Sequence, residues 1–247
     1  MPDYDFTGPR LFVDVALAAG EGFEAEPAQA NYLLNVLRLG DADRVLLFNG
    51  RDGEWAARLR REGKKRLVLT PSERSRAQTA PSDLHYLFAP LKSARLDYTV
   101  QKAVEMGAGV LRPVLTQHVQ APRLNIERMR ANAVEAAEQC GILTVPECRE
   151  PVRFDRMVAD WDPNRLLLFC DERAEAASPL DELRSLKGVP LALLIGPEGG
   201  FSAPERETLR ALPFVRRLSL GPRILRADTA AVAALAVIQA CAGDWSV

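Results

Sequence analysis

The sequence predicts an α/β protein in two parts: a small β-rich domain, most simply closed as a barrel, over residues 1–72, and a larger α/β domain with a parallel sheet over residues 84–247. Three observations predict it. Up to about Thr70, short strand-like runs are broken by Asn49-Gly50 and Asp52-Gly53, dipeptides that supply the positive φ of hairpin turns. Beyond residue 83, continuous apolar runs alternate with amphipathic helical stretches, the pattern of parallel strands covered on both faces. Between them, residues 73–83 carry almost no apolar side chains and read as a linker.

In the first part "RLFVDV", "DRVLLFNG", "GEWAARLR" and "KRLVLT" are the expected strands, and "PAQANYLLNVLRLG" sets Leu33, Leu34 and Leu37 at helical spacing. In the second part "LHYLFAP" leads to "ARLDYTVQKAVEMG", whose Leu96, Val100, Ala103 and Gly107 share a face, and "VLRPVL" leads to "NIERMRANAVEAAEQC". "RLLLFCD", "PLALLIG" and "RRLSLG" are three further strands, each followed by a helical candidate. Gly107-Ala108-Gly109 imitates a dinucleotide fingerprint, but it follows a helix and has Arg112 where the third glycine belongs. It reads as a helix C-cap.

A chain of 247 residues, 47% apolar, has enough material for buried cores. "MPDYDFTGPR" lacks the basic start and apolar stretch of a secretory signal, and the blandest apolar segment, Thr229–Gly243, is too short for a bilayer. A cytoplasmic protein without a membrane span is expected. Cys140, Cys148, Cys170 and Cys241 form no C-x-x-C pair, and with only His85 and His118 a metal site has little to be built from. Serine or cysteine hydrolase chemistry has no G-x-S-x-G elbow to stand on. Net charge is −1, yet Arg58 to Arg76 holds eight basic residues against two acidic ones. That segment is either a phosphate-facing patch or a solvated hairpin face.

The chemistry-bearing features are two loops. In "LLIGPEGGFSAPE", Gly196, Gly199 and Gly200 are spaced G-x-x-G-G, matching neither G-x-G-x-x-G nor the P-loop, and no lysine follows to meet a phosphate. The loop follows an apolar strand, and Ser202 to Glu205 forms a capping box for the next helix. Strand carboxyl ends are where parallel sheets bind ligands, and glycine lets backbone approach one closely. A tight turn without a ligand fits the spacing as well. The second loop, "LSLGPRILRADTA", sets Ile224 and Leu225 between Arg223 and Arg226 after a Gly221-Pro222 turn, an apolar slot beside cations that suits a flat heteroaromatic ring and an anionic substrate. Asp228 or Thr229 can cap the final helix.

These loops, with "PRLFV", "LLNVLRLGDADRVLLFNG", "KSARLDYTVQKAVEMG" and "EAAEQCGILTVPE" in matching order, resemble the RsmE family of 16S rRNA uridine-N3 methyltransferases in the SPOUT superfamily. The likeness covers most of the chain. It implies an N-terminal PUA-like barrel, a C-terminal methyltransferase domain tied in a trefoil knot, a homodimer, S-adenosyl-L-methionine as cofactor, and the 16S rRNA of the small ribosomal subunit as substrate. By the same likeness Ile195, Gly196, Pro197, Glu198, Gly199 and Gly200, together with Leu218, Ser219, Leu220, Gly221, Ile224 and Leu225, wall the cofactor, and Phe169 and Cys170 form a third wall. Glu198 either touches the cofactor or only shapes the turn.

Arg226 is expected to stabilise the developing uridine anion or its phosphate, and Asp228 to handle the proton. Expected RNA contacts are Arg10, Arg38, Lys92 and Arg95, with Arg58, Arg60, Lys64 and Lys65 orienting the duplex through phosphates. The chain departs from the family pattern at Asn31 and Asn35 (two histidines and an arginine in that segment), at Ile142 (arginine) and at Asp228 (glutamate). A protein that binds RNA during ribosome assembly without chemistry, or the same chemistry on another RNA, are the alternative readings.

Overall fold

The computed structural model describes residues 8–41, 43–63, 66–120, 123–171 and 180–245. Its described residues divide into two compact units, one of residues 8–80 with 137–145 and the other of 81–136 with 146–245.

The first unit is a curled five-stranded sheet in the order β1-β3-β4-β5-β2, built from β1 (Arg10–Phe12), β2 (Phe23–Glu24), β3 (Arg44–Phe48), β4 (Glu54–Glu62) and β5 (Arg66–Arg76). Asn49 organises the β3–β4 turn: its Oδ1 accepts from the amides of Arg51 and Asp52, and its amide donates to Val15 O at 2.8 Å. Gly53 has φ +84 and its missing Cβ would lie 2.3 Å from Arg76 O, so no other residue fits there. Alternate residues of β3, β4 and β5 turn Val45, Leu47, Ala57, Leu59, Leu67 and Leu69 onto one core with Leu11 and Leu33. The polar stretch Glu73–Arg76, expected as the start of a linker, continues β5 and pairs with β4. The expected helix is only α1 (Pro27–Asn31), running into a π-helical turn over Tyr32–Val36 closed by Leu37 N–H to Tyr32 O at 2.9 Å.

Arg10 lies in the interior of this unit, 9% exposed. Its Nε donates to Glu54 at 2.8 Å, and its terminal nitrogens donate to the carbonyls of Ala137, Glu138 and Ile142 at 2.7, 2.9 and 3.0 Å. Arg76 donates to the same Glu54 carboxylate at 2.9 and 2.5 Å. Burial alone would raise the Glu54 pKa, but hydrogen bonds from Arg76 and Arg10 outweigh it and hold the carboxyl below its ordinary range. The expectation that Arg10 contacts RNA is therefore corrected: its donors are spent on a carboxylate and on the carbonyls of a helix end, where cations are favoured.

The second unit is a parallel sheet in the order β12-β10-β11-β6-β7-β8, with β9 beside β7. Its strands are β6 (His85–Phe88), β7 (Val110–Leu115), β8 (Glu147–Cys148), β9 (Val152–Arg153), β10 (Leu166–Cys170), β11 (Leu191–Ile195) and β12 (Val215–Leu218), every recorded pair parallel. Helices α2 (Ser93–Glu105), α3 (Ile126–Gln139, its last turn in the first unit), α4 (Phe154–Ala159), α5 (Leu180–Arg184), α6 (Ala203–Ala211) and α7 (Ala227–Ala242) connect them. The near-continuous apolar strands are explained by burial on both faces: all five residues of β11 are buried. Gly107 has φ +77 just past the α2 C-cap, as its reading as a cap requires. β10, β11 and β12 are neighbours, so the loops at their carboxyl ends emerge side by side.

Candidate active site

Those three carboxyl ends enclose a cavity of about 360 Å³, within the size range of small-molecule sites. Its lining includes Cys170 and Asp171 after β10, Ile195 to Phe201 after β11, and Leu218, Leu220, Gly221 and Arg223 to Ala227 after β12. Both glycine loops of the sequence reading thus face one space, and Arg226 lines it. Phe169 and Ser219, expected in the walls, do not line it. Phe169 is wholly buried, edge-to-face with Phe201 at 5.0 Å, and belongs to the core beneath.

The three glycines of the first loop differ in cause. Gly200 has φ +66 and its N–H closes a turn onto Pro197 O at 2.8 Å. Gly196 is required by packing, because a Cβ there would meet the ring of Phe201 at 2.6 Å. Gly199 is held by neither: the nearest atom to its missing Cβ is Cβ of the exposed His118, 3.3 Å away. Beyond the loop Ser202 caps α6 as expected, its N–H donating to Glu205 Oε2 at 2.9 Å while Gln117 N–H donates to Glu205 Oε1 at 2.8 Å. His118 Nδ1 lies 3.2 Å from Gly200 O.

The second loop supplies apolar and cationic surface together. Ile224 is 89% exposed, and Leu220, Leu225 and the buried Leu218 continue the apolar lining. Arg226 is the N-cap residue of α7; its side chain makes no cap hydrogen bond, and the residue lines the cavity. The cap expected of Asp228 or Thr229 falls instead on Arg226. Asp228 stands in the first helical turn, where a carboxylate is favoured by the helix dipole, and it does not line the cavity. One oxygen accepts from Thr229 N–H at 2.8 Å and the other lies 3.8 Å from Arg95 Nε.

One feature of the site was missed by the sequence reading. Asp171 lines the cavity floor with its side chain wholly buried, accepting hydrogen bonds from Arg206, from Arg210 at 3.0 Å and from Arg217 at 3.1 Å. It ties β10, α6 and β12 together under the two loops. Cys170 presents a thiol that burial pushes up to about 12, so at neutral pH it is an uncharged wall and no nucleophile.

Of the expected RNA contacts, Arg38, Arg58, Arg60 and Lys92 are exposed, Arg60 being paired with Glu62 at 2.7 Å. Arg38 holds φ +58. Lys64 and Lys65 lie outside the described residues. Arg95, half-buried, reaches Glu198 at 3.4 Å as well as Asp228. Among the described residues no group of His, Cys, Asp and Glu could hold a metal ion, and no helix is long and apolar enough to cross a membrane.

Comparison with known proteins places these features. Residues 78–239 match the model of an RNA methyltransferase domain, and residues 26–72 that of an RNA methyltransferase PUA domain. Ribosomal RNA small subunit methyltransferase E of Rickettsia conorii is 32% identical over 93% of this chain and 94% of its own length, and that of Bacillus subtilis 25% identical over 93% and 95%. Among solved structures, a methyltransferase of Legionella pneumophila in complex with the cofactor S-adenosylmethionine superposes with a TM-score of 0.85 at 30% identity, covering 95% of this chain and 98% of that one. The small subunit methyltransferase E of Neisseria gonorrhoeae bound to S-adenosylmethionine superposes at 0.84 with 26% identity, covering 96% and 99%.

Proposed function

Because the chain belongs to the family of ribosomal RNA small subunit methyltransferase E, an S-adenosylmethionine-dependent group of rRNA methyltransferases with the SPOUT fold, we propose that it methylates N3 of one uridine in 16S rRNA. The observation that carries the reading is the convergence of both glycine loops on one cavity whose rim bears Arg226.

The residues present suit the cofactor. The cavity joins an apolar surface (Ile195, Leu218, Leu220, Ile224, Leu225) for a flat adenine to carboxylate-bearing and glycine backbone around Glu198 and Gly199 for a cationic, amino-acid end. It offers no phosphate-loop lysine, which a ligand without phosphate does not need. When bound, S-adenosylmethionine supplies a methyl group on a sulfonium, an electrophile without metal or redox chemistry.

The chain's own residues position and polarise. Uridine N3 bears a proton, so it must be deprotonated to attack, and the base must be unpaired, at a cost of about a few kcal/mol. Arg226 stabilises the charge that develops on the uracil, the largest kind of effect an oriented cation offers. Asp228, in the first turn of α7, handles the proton. Holding base and donor in line accounts for much of the remaining acceleration. Arg38, Arg58, Arg60 and Lys92 bind phosphates and set register. The family likeness further implies a homodimer working in the cytoplasm.

Tritiated-methyl transfer to small subunits from cells lacking the enzyme, followed by nucleoside mapping, should return 3-methyluridine in 16S rRNA. RNA binding without transfer would make the chain an assembly factor, and label in another RNA would move the substrate.

A further inference from the structure

Arg95 is, among the described residues, the side chain that forms ion pairs with both the first glycine loop and the start of the last helix. It projects from the first turn of α2, with NH1 3.4 Å from Glu198 Oε1 and Nε 3.8 Å from Asp228 Oδ2. Glu198 sits at the tip of the loop after β11, beside Gly199 and Gly200, where no regular secondary structure holds the backbone. Asp228 sits two residues after Arg226. The guanidinium thus spans from the wall that holds the cofactor side of the cavity to the turn that carries the catalytic arginine. Its side chain is 39% exposed and those of its partners 28% and 18%, so the bridge is neither locked in the core nor fully screened by water.

We propose that Arg95 is a positioning residue, a clasp that holds the GPEGG loop and the α7 turn in one arrangement and so preorganises the cavity for its cofactor. It is not an RNA phosphate contact. The proposal rests on the cavity being the S-adenosylmethionine site. A glycine-rich loop without the clasp samples more conformations, and binding must then supply the ordering that Arg95 supplies beforehand. His118 and Glu205 tie the far side of the same loop and its helix to the segment after β7, so releasing Arg95 frees the Glu198 end while the Gly200 end stays tethered.

The test is calorimetric titration of S-adenosylmethionine into the full chain and its variants, with a thermal melt of each as a folding control. Arg95→Ala should weaken binding about three- to tenfold, the range expected for losing two partly exposed ion pairs. Arg95→Lys should recover part of the loss. Asp228 does not line the cavity, so any effect of Asp228→Asn on cofactor affinity must pass through its neighbours: it should weaken binding in the wild-type background and have no effect on top of Arg95→Ala. Affinity for an rRNA fragment without cofactor should change less than twofold in Arg95→Ala.

Unchanged cofactor affinity in a folded Arg95→Ala chain, or an Asp228→Asn effect that persists there in full, overturns the clasp. So does a loss of RNA affinity with cofactor affinity intact. Failure of the wild-type chain itself to bind S-adenosylmethionine would instead remove the reading of the cavity on which the clasp depends.

Discussion

Two arginine–carboxylate clusters, one in each unit, are built from the same residue types in opposite proportions. In the first unit one carboxylate, Glu54, is shared by Arg10 and Arg76 at 2.8, 2.9 and 2.5 Å, with Glu54 only 1% exposed. In the second, one arginine, Arg95, faces Glu198 and Asp228 at 3.4 and 3.8 Å in partial contact with solvent. The sequence marks Arg10 and Arg95 alike as cations facing RNA. Burial separates them: charges removed from water must be paired to the last donor, whereas charges at a cavity mouth keep loose partners and stay able to rearrange. The first cluster is architecture and the second belongs to the site.

The comparison breaks most decisively at Glu54. Glu54→Ala leaves two arginines facing each other in the interior, and a loss of about 3–5 kcal/mol is expected, read as a fall in the urea midpoint without a change in slope. The same pairing predicts an acid limit. A carboxyl held below its ordinary pKa contributes stability that is complete above the unfolded value and is lost as pH falls through the folded one. Wild-type stability should therefore drop through the acid range below pH ~4.5, and Glu54→Gln, already destabilised at neutral pH, should show a flatter profile. A Glu54→Ala chain as stable as wild type would show that the two clusters are not different in kind.

Arg226 tests the other side. Among the described residues no carboxylate or carbonyl holds its guanidinium, so Arg226→Ala should leave the melting temperature within about a degree, unlike the loss expected at Glu54. Methyl transfer at saturating cofactor should nonetheless fall about a hundredfold, the usual scale for removing one group that stabilises developing negative charge. Cofactor affinity by calorimetry should be nearly unchanged. A destabilised or fully active variant would place Arg226 with the structural arginines.

How far the sequence was legible follows from the same contrast. The parallel sheet and the α6 capping box are local in origin, carried by apolar runs and a Ser-x-x-Glu spacing, and could be read in advance, whereas the joining of the two strand-end loops was implied by the family likeness. What escaped depends on partners far along the chain. Arg10 finds its acceptors at Ala137, Glu138 and Ile142, more than 120 residues away, and residues 137–145 join the first unit for reasons no local pattern announces. Asp171 gathers arginines 35 to 46 residues downstream. Glu73–Arg76 looked like linker because an edge of sheet that faces solvent needs no apolar residues.

The smallest expected effect lies inside the glycine loop, where Gly196 and Gly199 repeat the distinction three residues apart. A methyl group at Gly196 must displace the Phe201 ring, which is 5% exposed and packed against Phe154 and Phe169, so Gly196→Ala should cost about 1–3 kcal/mol by overpacking. At Gly199 the same methyl group would press only on the exposed His118, and the backbone needs no positive φ, so Gly199→Ala should change stability by less than about 0.5 kcal/mol. Enlarged to valine, the side chain must displace His118 or shift the loop backbone that lines the cavity: Gly199→Val should stay folded by thermal melt and lose measurable S-adenosylmethionine binding. Wild-type affinity in Gly199→Val would mean that this glycine, like Gly196, serves the turn alone, and the ligand-facing backbone would have to be sought in the loop after β12.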